Sequence, residues 1–111
     1  MGAQHTSSFI VAADHPALPG HFPGTPVVPG VVVLDHVLKT CESWQQHSVV
    51  VRGLKQVKFH SPLLPDERAE VSLEINGEAL AFRVTRAEQV VAQGSFVIAG
   101  VEAPRTEAPS A

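Results

Sequence analysis

The stretch "ERAEVSLEINGEALAFRVTRA", residues 67–87, decides the fold class of this chain. Hydrophobic residues fall at every second position, at Ala69, Val71, Leu73 and Ile75 and again at Leu80, Phe82 and Val84. Period two marks a strand with one buried face, because successive side chains point to opposite sides of a sheet. Asn76-Gly77 stands between the two runs, and Asn-Gly between alternating runs is the strongest short hairpin signal. Two antiparallel strands joined by a tight turn are expected here.

Further strands flank this hairpin. Downstream, "VVAQGSFVIAGV" (residues 90–101) supplies one more, with Gly94 marking a bend. Upstream, "LKQVKFHSPL" (54–63) puts Val57 and Phe59 on one side and Lys58 and His60 on the other. Near the start, "SSFIVAA" (7–13) alternates Phe9, Val11 and Ala13 and reads as a first strand. The period changes only between Val31 and Gln46. No glycine or proline interrupts there, and Val33, Leu34, Val37, Leu38, Cys41 and Trp44 recur at helical spacing. Pro29 suits the helix start because no donor is needed there. The order is strand, long loop, one helix, then antiparallel strands, an α+β architecture with the helix on one face of the sheet. The opposite face needs cover too, and a second copy of the chain is the economical supplier.

The chain has 111 residues, 44% hydrophobic and 17% charged, which predicts one soluble globular domain over 1–101 followed by a frayed tail over 102–111. A net charge of −3 gives no basic footprint, so nucleic acid is not an expected partner. Cys41 stands alone, and no CxxC or HExxH spacing suggests a metal. No segment has the make-up of a signal peptide or a membrane span, and a cytoplasmic protein is expected. "MGAQHT" fits a myristoylation pattern short enough to arise by chance.

The chemistry points to "GHFPGTPVVPG", residues 20–30, with three glycines and three prolines around His21. Such a loop cannot drift. Gly30 lies where the helix begins, with backbone N–H groups free to bind an electron-rich oxygen. Asp35 interrupts the apolar run "VVVLDHVL". Two readings stay open on pattern alone. His21 is a surface histidine and Asp35 the first member of a solvated stripe with Lys39, Glu42 and Gln46, the Asp35–Lys39 pair being in the favourable i,i+4 order. Alternatively, a rigid loop holds a histidine, an N–H donor and a carboxyl group as a proton-transfer site.

At these residues the chain resembles the β-hydroxyacyl-[acyl carrier protein] dehydratases. "GHFPGTPVVPGVVVLD" (20–35) is similar to their His-Phe-Pro-Gly-x-Pro-Val-x-Pro-Gly signature followed by Asp or Glu in the central helix. "VKFHSPLLPDERAEVSLEI" (57–75) resembles their Lys-Phe-x-x-Pro-Val-x-Pro-Gly-Asp strand and turn. One residue of that second pattern reads as missing, Pro65 being followed directly by Asp66.

The resemblance implies a hotdog fold, a curved antiparallel sheet wrapped around one long helix. It implies that His21 is the base removing the α-proton of a 3-hydroxyacyl thioester. Asp35 is then the acid that helps the β-hydroxyl leave, and the Gly30 N–H binds the thioester carbonyl. A carboxyl group partly buried among valines is expected to favour the protonated form that an acid needs. In this family the histidine and carboxyl of one site come from different subunits. A homodimer, or a heterodimer with a related hotdog subunit, is implied, with no cofactor and with acyl carrier protein bearing the substrate. Asp rather than Glu is typical of a branch that also isomerises the double bond, yet this chain is much shorter than members of that branch. Its compactness looks more like the small dehydratases of aryl-polyene and related polyketide-like pathways.

Two rivals remain: a non-catalytic or half-site subunit of a heterodimeric dehydratase, and an acyl-thioester hydrolase, since fold alone does not fix function. Arg52, Lys55 and Lys58 read either as a solvated face or as a receiver for the acidic carrier. Trp44 reads as core or interface packing, His15 as a loop residue, and His5, His36, His47 and His60 have no assigned role.

Overall fold

A computed structural model describes residues 3–12 and 27–99. The elements run β1 (Ala3–Ile10), α1 (Gly30–Gln45), β2 (Val51–Phe59), β3 (Arg68–Asn76), β4 (Ala79–Arg86) and β5 (Gln89–Ile98). One antiparallel sheet carries the strands in the order β1-β3-β4-β5-β2. This is the hotdog arrangement, sheet around helix. His21 and His15 lie outside the described residues, as does the expected tail.

The alternation holds. In β3 and β4 every second residue is buried, Ala69 through Ile75 on one strand and Leu80, Phe82 and Val84 on the other. They pack with Phe96 and Ile98 of β5 against Val33, Val37 and Cys41 of α1. Burial, with the Glu42 charge adding to it, pushes the Cys41 thiol up to about 11.

The boundaries and turns differ in four places. β1 starts at Ala3 rather than residue 7, because β3 offers it a partner as far as Ile75. The first hairpin turns on Gly77-Glu78, with Asn76 already paired to Ala79. Gly77 alone has positive φ there, +58°, as a type II′ turn requires. The second hairpin turns on Ala87-Glu88, both at positive φ (50° and 70°) with no glycine present. Gln46 is the left-handed cap of α1 rather than its last helical residue, and its N–H donates to the Glu42 carbonyl.

Two strand–helix contacts use histidines. His5 of β1 stacks on Trp44 (5.1 Å between ring centroids), and His36 stacks on Phe9 (4.4 Å). The bend expected at Gly94 is a close approach. β2 bulges between Lys55 and Lys58, with Gln56 at φ 55°, and a Cβ on Gly94 would lie 2.7 Å from the Val57 Cα. No described helix is long and apolar enough to cross a membrane.

Candidate active site

The site begins at the N-terminus of α1. Pro29 is the N-cap, extended at φ −61° and ψ 147°, and its carbonyl accepts the N–H groups of Val32 (3.0 Å) and Val33 (3.2 Å). The helical ladder therefore starts at Val32. Among the described residues no backbone carbonyl takes the Gly30 N–H, and no side chain caps the helix. A free N–H at the positive end of a helix favours an oxygen that gains negative charge.

Upstream, the Val28 N–H donates to the Leu63 carbonyl at 2.8 Å, which ties the segment before the helix to the β2–β3 connection. Between them lies a cleft of about 360 Å³, walled by Val28, Gly30, Val33, Phe59, Leu63 and Val91. These walls are apolar, as an acyl chain requires, with His60 and Ser61 at the end of β2 as the polar side chains of the lining. Phe59 ends β2 opposite Ala92, and its ring lies against Gly30: a Cβ there would be 2.8 Å from Cζ and 3.0 Å from Cε1. Glycine at position 30 thus leaves room for the ring. Phe59 nevertheless remains 52% exposed.

The β2–β3 turn keeps its length. Asp66 stands at φ 66°, the left-handed region that favours glycine. The following Glu67 carboxylate accepts the Leu64 N–H at 3.0 Å. Aligned without a gap, Asp66 occupies the glycine place of the Pro-x-Pro-Gly-Asp pattern and Glu67 the aspartate place. The reading of a missing residue is therefore corrected. The Asp66 N–H donates to the Val11 carbonyl at 2.7 Å, holding the turn against the end of β1.

In the single chain Asp35 stands in the solvated stripe with Lys39. Its side chain is 56% exposed rather than partly buried among valines, and it pairs with Lys39 at 3.1 Å. Five positions on a helix turn it about 140° from Gly30. One chain therefore does not bring Asp35 to the cleft. Asp35 shares its stripe with Val31, one turn earlier, which is 75% exposed. The acid candidate is flanked by an apolar side chain that nothing in the single chain covers.

Sequence reasoning placed Phe59 on a strand without connecting it to Gly30. Its position in the Lys-Phe pair of "VKFHSPL" was the available signal. His60 lines the cleft at the end of β2, its Nε2 3.3 Å from the Gln93 Nε2, and the His47 Nδ1 lies 2.8 Å from the Ser48 carbonyl.

A family model, ApeI-like (ApeI dehydratase), matches residues 2–95. The 3-hydroxyacyl-[acyl-carrier-protein] dehydratase FabZ of Ehrlichia chaffeensis is 29% identical over 70 residues, which cover 59% of this chain and 49% of FabZ. The chain thus spans about half the length of that relative. An uncharacterized protein from Erwinia carotovora subsp. atroseptica shares the fold with a TM-score of 0.79 at 23% identity, over 90% of this chain and 86% of its own. The dehydratase heterocomplex ApeI:P from Xenorhabdus doucetiae shares it with a TM-score of 0.78 at 22% identity, over 86% and 87%.

Proposed function

The chain belongs to the ApeI-like dehydratase family, and we propose that it eliminates water from 3-hydroxyacyl thioesters to give trans-2-enoyl thioesters. The thioester carbonyl accepts the Gly30 N–H, and the acyl chain lies in the cleft beside Phe59. His21 takes the α-proton. The electron pair of that C–H bond passes onto the carbonyl oxygen as an enolate, where the N–H and the helix dipole stabilise it. The pair returns to form the double bond as the β C–O bond breaks, and the hydroxyl leaves as water with a proton from Asp35. Solvent exchange restores both groups.

The observation that carries this reading is the Gly30 N–H, which no backbone carbonyl among the described residues accepts, in the wall of a largely apolar cleft. Asp35 completes a site only when a second chain brings it. Exposed Val31, Leu54 and Phe59, with the free edge of β2, give that chain an apolar surface to cover. The Lys39 pair must open for Asp35 to act as the acid. The substrate handle in this reading is an acyl carrier protein, the location cytoplasmic, and the pathway of the aryl-polyene or polyketide-like kind. Incubation with 3-hydroxyacyl and trans-2-enoyl thioesters, followed by mass and ultraviolet absorbance, tests the reaction.

A second reading is favoured by the heterocomplex relative: the covering chain is a related hotdog subunit, and this chain supplies half of the site. Light scattering and turnover of the purified chain alone separate the two. An active homodimer supports the first reading. A chain inactive until a relative is added supports the second.

A further inference from the structure

The charges are segregated across the sheet. β4, β5 and β2 are contiguous and contain no acidic residue, although the whole chain carries a net charge of −3. The same strands hold Arg52, Lys55, Lys58, Arg83 and Arg86. Arg86 pairs with Glu67. Lys55, Lys58 and Arg83 make no ion pair among the described residues.

Register places these three on the face turned away from α1. Lys58, Gln93 and Arg83 stand side by side across β2, β5 and β4, and Lys55 stands beside Ser95 in the neighbouring row. Lys58 and Arg83 are two strand spacings apart, about 10 Å, with Gln93 between them. An open trough of about 810 Å³ runs over this row. The acids of the face, Glu70 and Glu74, lie on β3, and Glu74 lines the far end of the trough. The cationic half is also continuous with the cleft. Lys58 precedes Phe59 on one strand, and His60, which lines the cleft, contacts Gln93 in the trough.

We propose that this half-face is a docking surface for an acidic protein, the carrier that presents the thioester to the cleft. The inference rests on the dehydratase reading for the identity of that protein. Charge complementarity carries it: three cations without an ion pair among the described residues, no acid on the three strands β2, β4 and β5, and uncharged Gln93 and Ser95 as hydrogen-bonding partners. The row has no aromatic side chain on which nucleic acid bases would stack.

The test compares one 3-hydroxyacyl group on acyl carrier protein and on N-acetylcysteamine, a small handle with no protein surface. Lys58→Glu combined with Arg83→Glu is expected to raise KM for the carrier-bound substrate about tenfold or more, because rim charges act on encounter. Kinetics on the small thioester stay unchanged, and the wild-type preference for the carrier falls as salt rises. If charge reversal lowers the melting temperature, Lys58→Gln with Arg83→Gln replaces it and is expected to give a smaller rise in the same direction. Equal effects on both substrates, or none on either, overturn the proposal. Tighter binding of anionic vesicles or an oligonucleotide than of carrier protein overturns it too. A wild-type chain that turns over neither substrate, alone or with a related hotdog subunit added, refutes the dehydratase reading instead, while titration with acyl carrier protein still reports docking.

Discussion

Gly30→Ala separates two reasons for having glycine at the head of the helix. The added methyl carbon would lie 2.8, 3.0 and 3.3 Å from three atoms of the Phe59 ring. Favourable carbon–carbon contacts lie at about 3.5–4.0 Å, so the ring must withdraw by about 0.5–1 Å. Phe59 is half exposed, and its ring can turn outward without breaking the core. Overpacking should therefore cost about 1 kcal/mol, the low end of its range. Alanine's better helix propensity offsets up to about 1 kcal/mol of that. Net stability should barely change, while the displaced ring alters the cleft and lowers kcat/KM by about tenfold, equivalent to about 1.4 kcal/mol. In a Phe59→Ala background the methyl meets no ring, and Gly30→Ala should then cost at most about twofold. The assay is kcat/KM on one 3-hydroxyacyl thioester for the four proteins of the cycle, with thermal unfolding of each. Equal losses with and without Phe59 would refute the reasoning and show that the methyl collides with the thioester itself.

His21→Ala and Asp35→Asn should each lower turnover by about 10²-fold or more. A mixture of the two after subunit exchange should regain part of the activity, measured against each variant alone, because a mixed dimer holds one intact site. Ala87→Asn with Glu88→Gly supplies residues suited to two positive φ angles, and should raise stability by about 1 kcal/mol in denaturant titration. The Cys41 thiol, raised from 9.0 to about 11, makes stability pH-dependent in a defined direction. Between those values the unfolded chain loses its thiol proton first, so this contribution is full below pH 9 and declines as pH rises toward 11. Native protein at pH 8 should resist thiol alkylation, and urea-unfolded protein should not.

Much of the fold was legible because its signals are local. Alternation in residues 69–84 and the helical spacing from Val33 to Cys41 each report a buried face. The Ala87-Glu88 turn was not legible, since neither residue is a usual choice for positive φ and the pairing of β4 with β5 imposes it. Gly94 showed as a bend, but its reason lies in the Val57 backbone of a strand far away in sequence. The same limit applies at the candidate site. Gly30 at the helix start was readable from Pro29 and the following valines, whereas the Phe59 ring against it is a long-range contact. For Asp35 the helical wheel showed the solvated stripe with Lys39 that the single chain has, while packing sends Val32 inward and leaves Val31 in solvent; its reach to a site depends on a second chain, which no local signal reports. Asp66 looked like a deletion because nothing in a sequence marks an aspartate held at the φ of a glycine.

The dehydratase reading stands or falls on one mass measurement. The purified chain, with a related hotdog subunit added if it is inactive alone, is incubated with a 3-hydroxyacyl thioester on acyl carrier protein. The expected product is the same carrier-bound acyl group lighter by one water, with conjugated enoyl absorbance rising in step and both signals lost in His21→Ala. Free carrier thiol with a released 3-hydroxy acid would instead mean hydrolysis, and an unchanged substrate mass under both conditions would contradict the reading outright.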